Sequence, residues 1–271
     1  MRLPGGIVRD GARRRDFAFR SLTGAVELAL AEADGVGSTL PARVTAALAA
    51  ALAHVGGEAP LPATVAGLAV ADRQFLMGRL ATGLGLGESW LTAGCGRCGE
   101  RFDFSVTHAD LPVKEAGEGY PFATVETSLG PCRFRVPTGA DQEFLAGLDD
   151  EREAFRCLVG RCLVDSPGRR TGDGQPTFTA DDVARIESAL EAVAPEVAVS
   201  VQAACPACGT THVIDVDPYA ALSRNAGGGL LQEIHILAAS YHWSEGEILA
   251  LPLERRRRYL ELIDRARGMA R

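Results

Sequence analysis

Aromatic side chains make up only 6% of this 271-residue chain. Its core must therefore be packed from small aliphatic residues, and the abundance of Ala and Leu favours helices. A surplus of positive charge is also missing. The formal net charge of −7 argues against nucleic acid as the main partner, because phosphate binding rests on Lys and Arg neutralising a polyanion. Local exceptions are Arg13 to Arg15 and Arg255 to Arg258, which read first as a solvated face or helix end. The opening Met1-Arg2-Leu3-Pro4-Gly5-Gly6 has no apolar run of the kind a secretory signal carries. No stretch is uninterrupted enough to span a membrane, since Thr45, His54 and Gly56 bound the Ala/Leu-rich segment. The expectation is a cytoplasmic protein without a membrane partner. Catalytic signatures are absent too: there is no G-x-S-x-G elbow, Walker loop, H-E-x-x-H or paired-carboxylate pattern. The alternating glycines from Gly83 to Gly87 lack the G-K-[ST] of a phosphate loop and read as a connection. Neither catalytic residues nor a small-molecule substrate is expected.

What the chain does have is cysteine in a pattern. Four of its seven cysteines form two C-x-x-C pairs, which suits a reducing compartment and a metal ion better than a disulfide framework. The surroundings repeat: Ala93-Gly94-Cys95-Gly96-Arg97-Cys98-Gly99 matches Ala203-Ala204-Cys205-Pro206-Ala207-Cys208-Gly209, and an alternating strand follows each. A C-x-x-C-G turn between strands aims two thiolates at one centre, with a glycine supplying the permissive backbone just after it. Structural zinc takes four ligands in a tetrahedron, so the two turns predict one shared Zn2+ site of Cys95, Cys98, Cys205 and Cys208. The pairs stand about a hundred residues apart, which adds roughly 2 kcal/mol of loop-closure entropy over an ordinary finger. Zinc contributes on the order of 10–16 kcal/mol in small fingers, enough to prevail if the intervening segment folds with its ends together. Two separate sites or empty turns stay open. Redox chemistry is the rival, but a redox dithiol normally begins a helix, and strands follow both motifs here. Cys132, Cys157 and Cys162 read as small buried hydrophobes. His108 and His212 neighbour the turns, and a site of His235 and His242 with Glu233 or Glu245 is conceivable but lacks an H-E-x-x-H pattern.

Around these turns the periodicities lay out the rest. An opening hairpin is predicted from Gly6–Arg9 and Asp16–Arg20 about Asp10-Gly11, its loop lengthened by the arginine run. Helices are predicted over Val26–Ala33, Arg43–His54 and Val65–Leu80, the last with Asp72, Arg73 and Arg79 turned away from its apolar face. Strands are predicted at Trp90–Ala93, Phe102–Val106 and Cys132–Val136, then helical character over Asp141–Leu163 and a polar loop over Gly168–Pro176. A helix capped by Thr179 ends before Pro195, Val197–Val201 and Val213–Val216 flank the second turn, and Gly227 to Gly229 mark a hinge before helices at Leu230–Ala239 and Leu253–Ala266. The expected fold class is α+β, mainly helical, with two zinc-knuckle β-hairpins forming a zinc-ribbon-like centre. Its divisions are 1–88, an N-terminal hairpin and helices; 89–226, the zinc-ribbon-like region with an inserted helical segment; and 230–271, a C-terminal docking segment.

The most distinctive text is Leu237 to Pro252, followed by Arg255 to Arg258 and Tyr259-Leu260. Its Trp-x-x-x-Glu-Ile segment, proline and Arg-rich Tyr-Leu helix resemble the tail proteins of contractile phages. With the opening hairpin leading to Leu22-Thr23-Gly24, the Asp72-Arg73 helix and the paired turns, the chain resembles the baseplate-hub and tail-assembly family of T-even-type phages and related contractile injection systems. Gly96 stands where that family's turn usually has proline. The resemblance implies a structural or assembly component of a baseplate hub, made in the cytoplasm and incorporated in a tail particle, with other baseplate, hub or spike proteins as partners. Trp243, Ile248, Arg255, Arg256 and Tyr259 are the candidate partner-binding residues, on an apolar face beside an arginine rim. An ordinary helix packed on its own domain is the plain alternative for that face. The competing function is a zinc-ribbon adaptor for nucleic acid or the transcription machinery, carried by the turns and the arginine clusters. A zinc hydrolase comes third, because it needs an open coordination position.

Overall fold

Asp10 and Gly11 both take left-handed backbone conformations, with φ of 49° and 72°, and close a tight turn between β1 (Arg2–Arg9) and β2 (Ala12–Phe19). The arginine run lies in β2 and does not lengthen the loop, because two such residues already match the twist of a hairpin. Strand alternation puts Arg13 and Arg15 on one face, from which they reach back over an irregular stretch of β1. Arg13 donates to the carbonyls of Gly5 and Pro4 at 2.5 and 2.6 Å, and Arg15 to that of Leu3 at 2.5 Å.

The computed structural model describes residues 1–36, 39–167, 176–217, 219 and 228–269. The polar loop expected over 168–176 lies, but for Pro176, outside the described residues, as does Gly227. Mixed α and β structure, 45% helix and 28% strand, corrects the expectation of a mainly helical chain. After α1 (Gly24–Val36) and α2 (Leu40–Ala51) the helical pattern stops, and Leu52–Val55 becomes β3 at the edge of the β1-β2-β3 sheet. The helix expected over Val65–Leu80 is two, α3 (Pro62–Ala66) and α4 (Val70–Gly83), with Gly67 ending the first and extended Ala69 starting the second.

Asp72 and Arg73 on α4 are fully buried, which corrects their expected outward placement. Asp72 accepts the amides of Gly5 and Gly6 at 2.7 Å each, which the irregular stretch of β1 leaves without ladder partners. Arg73 crosses to the Thr45 hydroxyl and the Pro41 carbonyl, both at 2.7 Å. One guanidinium, with five donors in a fixed fork, thus ties α4 to α2. Around these polar ties pack Leu3, Phe17, Leu48, Leu52, Leu76 and Leu80, the aliphatic core that a chain poor in aromatics requires.

β4 (Glu88–Gly94) and β5 (Arg101–Thr107) form the first cysteine hairpin, and a single 3-10 turn leads to β6 (Val113–Lys114). The middle segment follows: β7 (Phe122–Thr127), β8 (Gly130–Arg135), α5 (Gly139–Leu145), α6 (Glu151–Cys162), β9 (Leu163–Asp165) and α7 (Ala180–Val193). Its β7-β8-β9 sheet holds Val125, Cys132, Phe134, Cys162 and Ile186 in a core of their own. The helix expected over Asp141–Leu163 is interrupted between Leu145 and Glu151 and ends in a strand. Next comes β10 (Glu196–Val197), which pairs antiparallel with β6, Val197 opposite Val113. The amide of Ala198 donates to the Pro112 carbonyl at 2.9 Å just beyond that pair. This clip brings the two ends of the middle segment together, so the second cysteine hairpin, β11 (Ser200–Ala204) and β12 (Thr211–Asp215), starts beside the end of the first.

Three helices close the chain: α8 (Gly228–Tyr241), α9 (Glu245–Leu249) and α10 (Leu253–Met269). Among the described residues no helix is long and apolar enough to cross a membrane.

Candidate metal centre

Each cysteine turn is held by the same local bonds. Cys95 donates its amide to the Glu100 carbonyl at 2.8 Å and accepts the Gly99 amide at 2.9 Å; Cys205 does the same with Thr210 and Gly209, both at 2.9 Å. Gly99 and Gly209 sit at φ of 75° and 71°, left-handed positions that explain why glycine follows both motifs. Both motifs join two strands and neither begins a helix, so the feature that lowers a redox thiol's pKa at a helix N-terminus is missing.

The hairpins pack with Phe102, Ala203, Cys95 and Cys205 buried between them, and the turns meet at one end. Cys95 Sγ lies 3.6 Å from Cys208 Sγ, and Cys98 Sγ lies 3.7 Å from Cys205 Sγ. All four sulfurs fall within 4.8 Å of one another. Zinc–sulfur bonds of about 2.3 Å place the sulfurs of a regular tetrahedron about 3.8 Å apart, so the donor set and its spacing both fit a four-thiolate ion. Cys95 and Cys205 are buried, Cys208 is half-buried and Cys98 is exposed, which puts the centre at the surface end of the paired hairpins. Arg97 of the first turn also reaches the Thr210 hydroxyl of the second, at 3.4 Å.

The electrostatics of the cluster call for a cation. The backbone amide of Cys98, helped by that of Arg97 and by His212, pulls Cys95 down to about 5 against the opposing effect of burial. The Thr210 hydroxyl and amide hold Cys208 below the usual thiol range. Cys98 receives the Glu100 amide, yet the neighbouring sulfurs of Cys208, Cys95 and Cys205 push it up to about 12. Four sulfurs this close cannot all be anions by themselves, whereas a divalent cation among them favours every thiolate at once.

Of the other residues singled out by the sequence, Cys132 and Cys162 are buried core residues and Cys157 is half-buried. His108 is buried and bonds the Ser89 hydroxyl at 2.9 Å. His212, noted in the sequence only as a neighbour of the turn, lies with Nε2 3.2 Å from Cys95 Sγ. Its alternating position in the strand after Cys208 was the available signal.

The five candidate partner-binding residues separate. Ile248 and Arg256 are fully buried within the chain, which corrects their assignment to a docking surface. Ile248 packs with Leu237 and Ile263. Arg256 binds Glu233 at 2.9 Å, Glu27 at 2.7 Å and the Leu251 carbonyl at 3.0 Å. A buried guanidinium needs such partners, and Glu27 belongs to α1, so Arg256 ties α10 to α1 of its own chain. Trp243 and Tyr259 are half-buried with Tyr241 in one aromatic cluster, ring centroids 4.8 to 5.5 Å apart. Arg255 alone of the five is exposed. No family model, curated protein or solved structure matches this chain.

Proposed function

We propose that this chain is a structural or assembly component of a contractile tail or injection-system baseplate hub, stapled by one structural zinc ion. The observation that carries the metal half is the convergence of Cys95, Cys98, Cys205 and Cys208 within 4.8 Å. Four cysteine ligands fill a tetrahedron and leave no position for water, the pattern of structural rather than hydrolytic zinc. Each sulfur would be a thiolate ligand, and zinc would supply a link that neither hairpin can make alone. The baseplate half rests on the likeness of Leu237 to Leu260 to contractile tail proteins, with Trp243, Arg255 and Tyr259 as the accessible part of the C-terminal segment. The competing reading, a zinc-ribbon adaptor for nucleic acid, loses part of its basis: Arg13, Arg15 and Arg256 are bound to carbonyls and carboxylates of their own chain.

The test is made in cells that produce the particle. Tagged chain should co-purify with tube, spike or wedge proteins, and its deletion should leave tails unassembled. Normal tails from the deletion strain contradict the assembly role. Salt-dependent binding of DNA or RNA by the isolated chain would support the adaptor instead.

A further inference from the structure

The two cysteine hairpins are copies, yet the centre between them is not symmetric. Cys95 corresponds to Cys205, Cys98 to Cys208 and Gly99 to Gly209, and the Cys95–Cys208 and Cys98–Cys205 contacts exchange under that correspondence. By the same offset Phe102 corresponds to His212, and the two rings lie with centroids 6.3 Å apart, tilted by 42°. Here the copies differ in chemistry. His212 brings Nε2 to 3.2 Å from Cys95 Sγ, while a phenylalanine ring has no N–H to offer Cys205. The mutually adjacent ligand atoms are the four sulfurs without the imidazole, so His212 stands outside the ligand set. A metal-bound thiolate can only accept, and the nitrogen between them must therefore donate.

Building on the zinc-centre reading above, we infer that His212 is a positioning residue of the metal centre. Its Nε2–H bond to Cys95 fixes that thiolate on the ion and withdraws part of the charge that four thiolates place around a divalent cation. Cys95 is consequently held and shielded from electrophiles in a way that Cys205 is not. The Cys95 and Cys205 ends of the staple therefore differ, and the imidazole sets that difference.

The experiment uses the full-length chain as wild type, H212F and H212Q. H212F copies the residue at the corresponding position of the first hairpin, and H212Q keeps a side-chain N–H. Competition with a chromophoric chelator should show zinc bound 10–100-fold more weakly by H212F, the usual effect of losing an outer-shell partner, and recovery of most of that loss in H212Q. Cobalt-loaded H212F should keep a four-thiolate spectrum. Alkylation of the zinc-loaded chain, mapped by mass spectrometry, should show Cys95 reacting faster relative to Cys205 in H212F than in wild type. Ring 15N spectra of zinc-loaded wild type, which depend on no variant folding, should show His212 protonated at Nε2. Unchanged zinc affinity together with an unchanged Cys95 to Cys205 ratio overturns the inference, as does a ring protonated only at Nδ1 or a thiolate spectrum lost in H212F. A wild type that takes up no zinc removes the metal centre itself, and the inference with it.

Discussion

Asp72 shows how much a single buried carboxylate can do. It takes the two amides that the irregular stretch of β1 leaves unpaired, at the cost of its own solvation. Burial raises its pKa from 3.8 to about 6, against the lowering effect of the Gly6 and Gly5 amides and of Arg13 and Arg15. Between those values the folded chain holds a proton that the unfolded chain has lost, so this group's contribution to stability is complete below pH 3.8 and falls as pH rises through about 6. The fall is up to about 3 kcal/mol. D72N removes that slope, so the stability advantage of wild type over D72N should shrink as pH rises from 4 to 6 in urea titrations. A constant difference across that range would refute the account. The amide nitrogen of asparagine would also face a glycine N–H, and leaving a buried donor unpaired costs about 1–3 kcal/mol. At this scale the sequence was legible where chemistry dictates both residue type and spacing, as at the C-x-x-C turns. It was illegible at Asp72 and Arg73, because a charge in mid-helix carries no local mark of a partner far away in the chain. A solvated face was the natural reading of Arg13 to Arg15 for the same reason, although two of those side chains serve β1.

Two helix starts in the middle segment, those of α5 and α7, are each joined to its sheet by a buried aspartate. Thr179 and Asp182 form a capping box on α7, and Asp182 also takes the amide and hydroxyl of Ser128, in the turn between β7 and β8, at 2.8 and 2.6 Å. Thr138 and Asp141 do likewise on α5, where Asp141 accepts from Arg135 and Arg161 at 2.6 to 2.9 Å. Burial alone would raise the Asp141 pKa, but Arg135, the Thr138 amide and Arg161 outweigh it and hold the carboxyl well below the ordinary range. For Asp182 the Ser128 hydroxyl is the chief cause of the same direction. Such groups contribute stability above the unfolded carboxylate pKa of about 4 and lose it as pH falls toward their folded values. Chemical unfolding should find T179A less stable by about 1 kcal/mol, and D141N by about 2–3 kcal/mol, since its arginines remain partly solvated. The D141N deficit should narrow as pH falls below 4; a deficit as large at pH 2 as at pH 7 would contradict the ion-pair account. Arg256, fully buried between Glu27 and Glu233, predicts a larger loss of about 3–5 kcal/mol for R256M. An R256M chain as stable as wild type would show that α10 is not fastened to α1 through this group. Thr179 announced its helix because a cap is a local signal. β3, β7 and the break inside Asp141–Leu163 did not, because Leu52–Val55 continues a helical apolar pattern and becomes a strand only where β2 offers it an edge.

At the scale of the whole molecule, two devices bring the cysteine hairpins together. The β6–β10 clip gathers the ends of the middle segment, and the four sulfurs join the hairpins that flank it. The pairing of cysteine turns could be read from their repetition, but the clip could not, since two strands of two residues each have no periodicity to detect. The arrangement meets the condition the long separation imposed, because a clipped excursion costs the metal little further entropy. Replacing Cys205 and Cys208 together by serine should abolish zinc uptake and lower the melting temperature by roughly 5–10 °C, as a loss of a few kcal/mol does in a chain of this size. The middle segment and its own core should stay folded in that variant, with the amides of β7 and β8 still protected from hydrogen exchange. The most direct test of the shared centre is zinc-edge X-ray absorption of the purified full-length chain, with metal content measured on the same sample. One zinc per chain surrounded by four sulfur scatterers at about 2.3 Å is the predicted result. A first shell containing nitrogen or oxygen, two zinc ions per chain, or a folded chain that refuses zinc would contradict it.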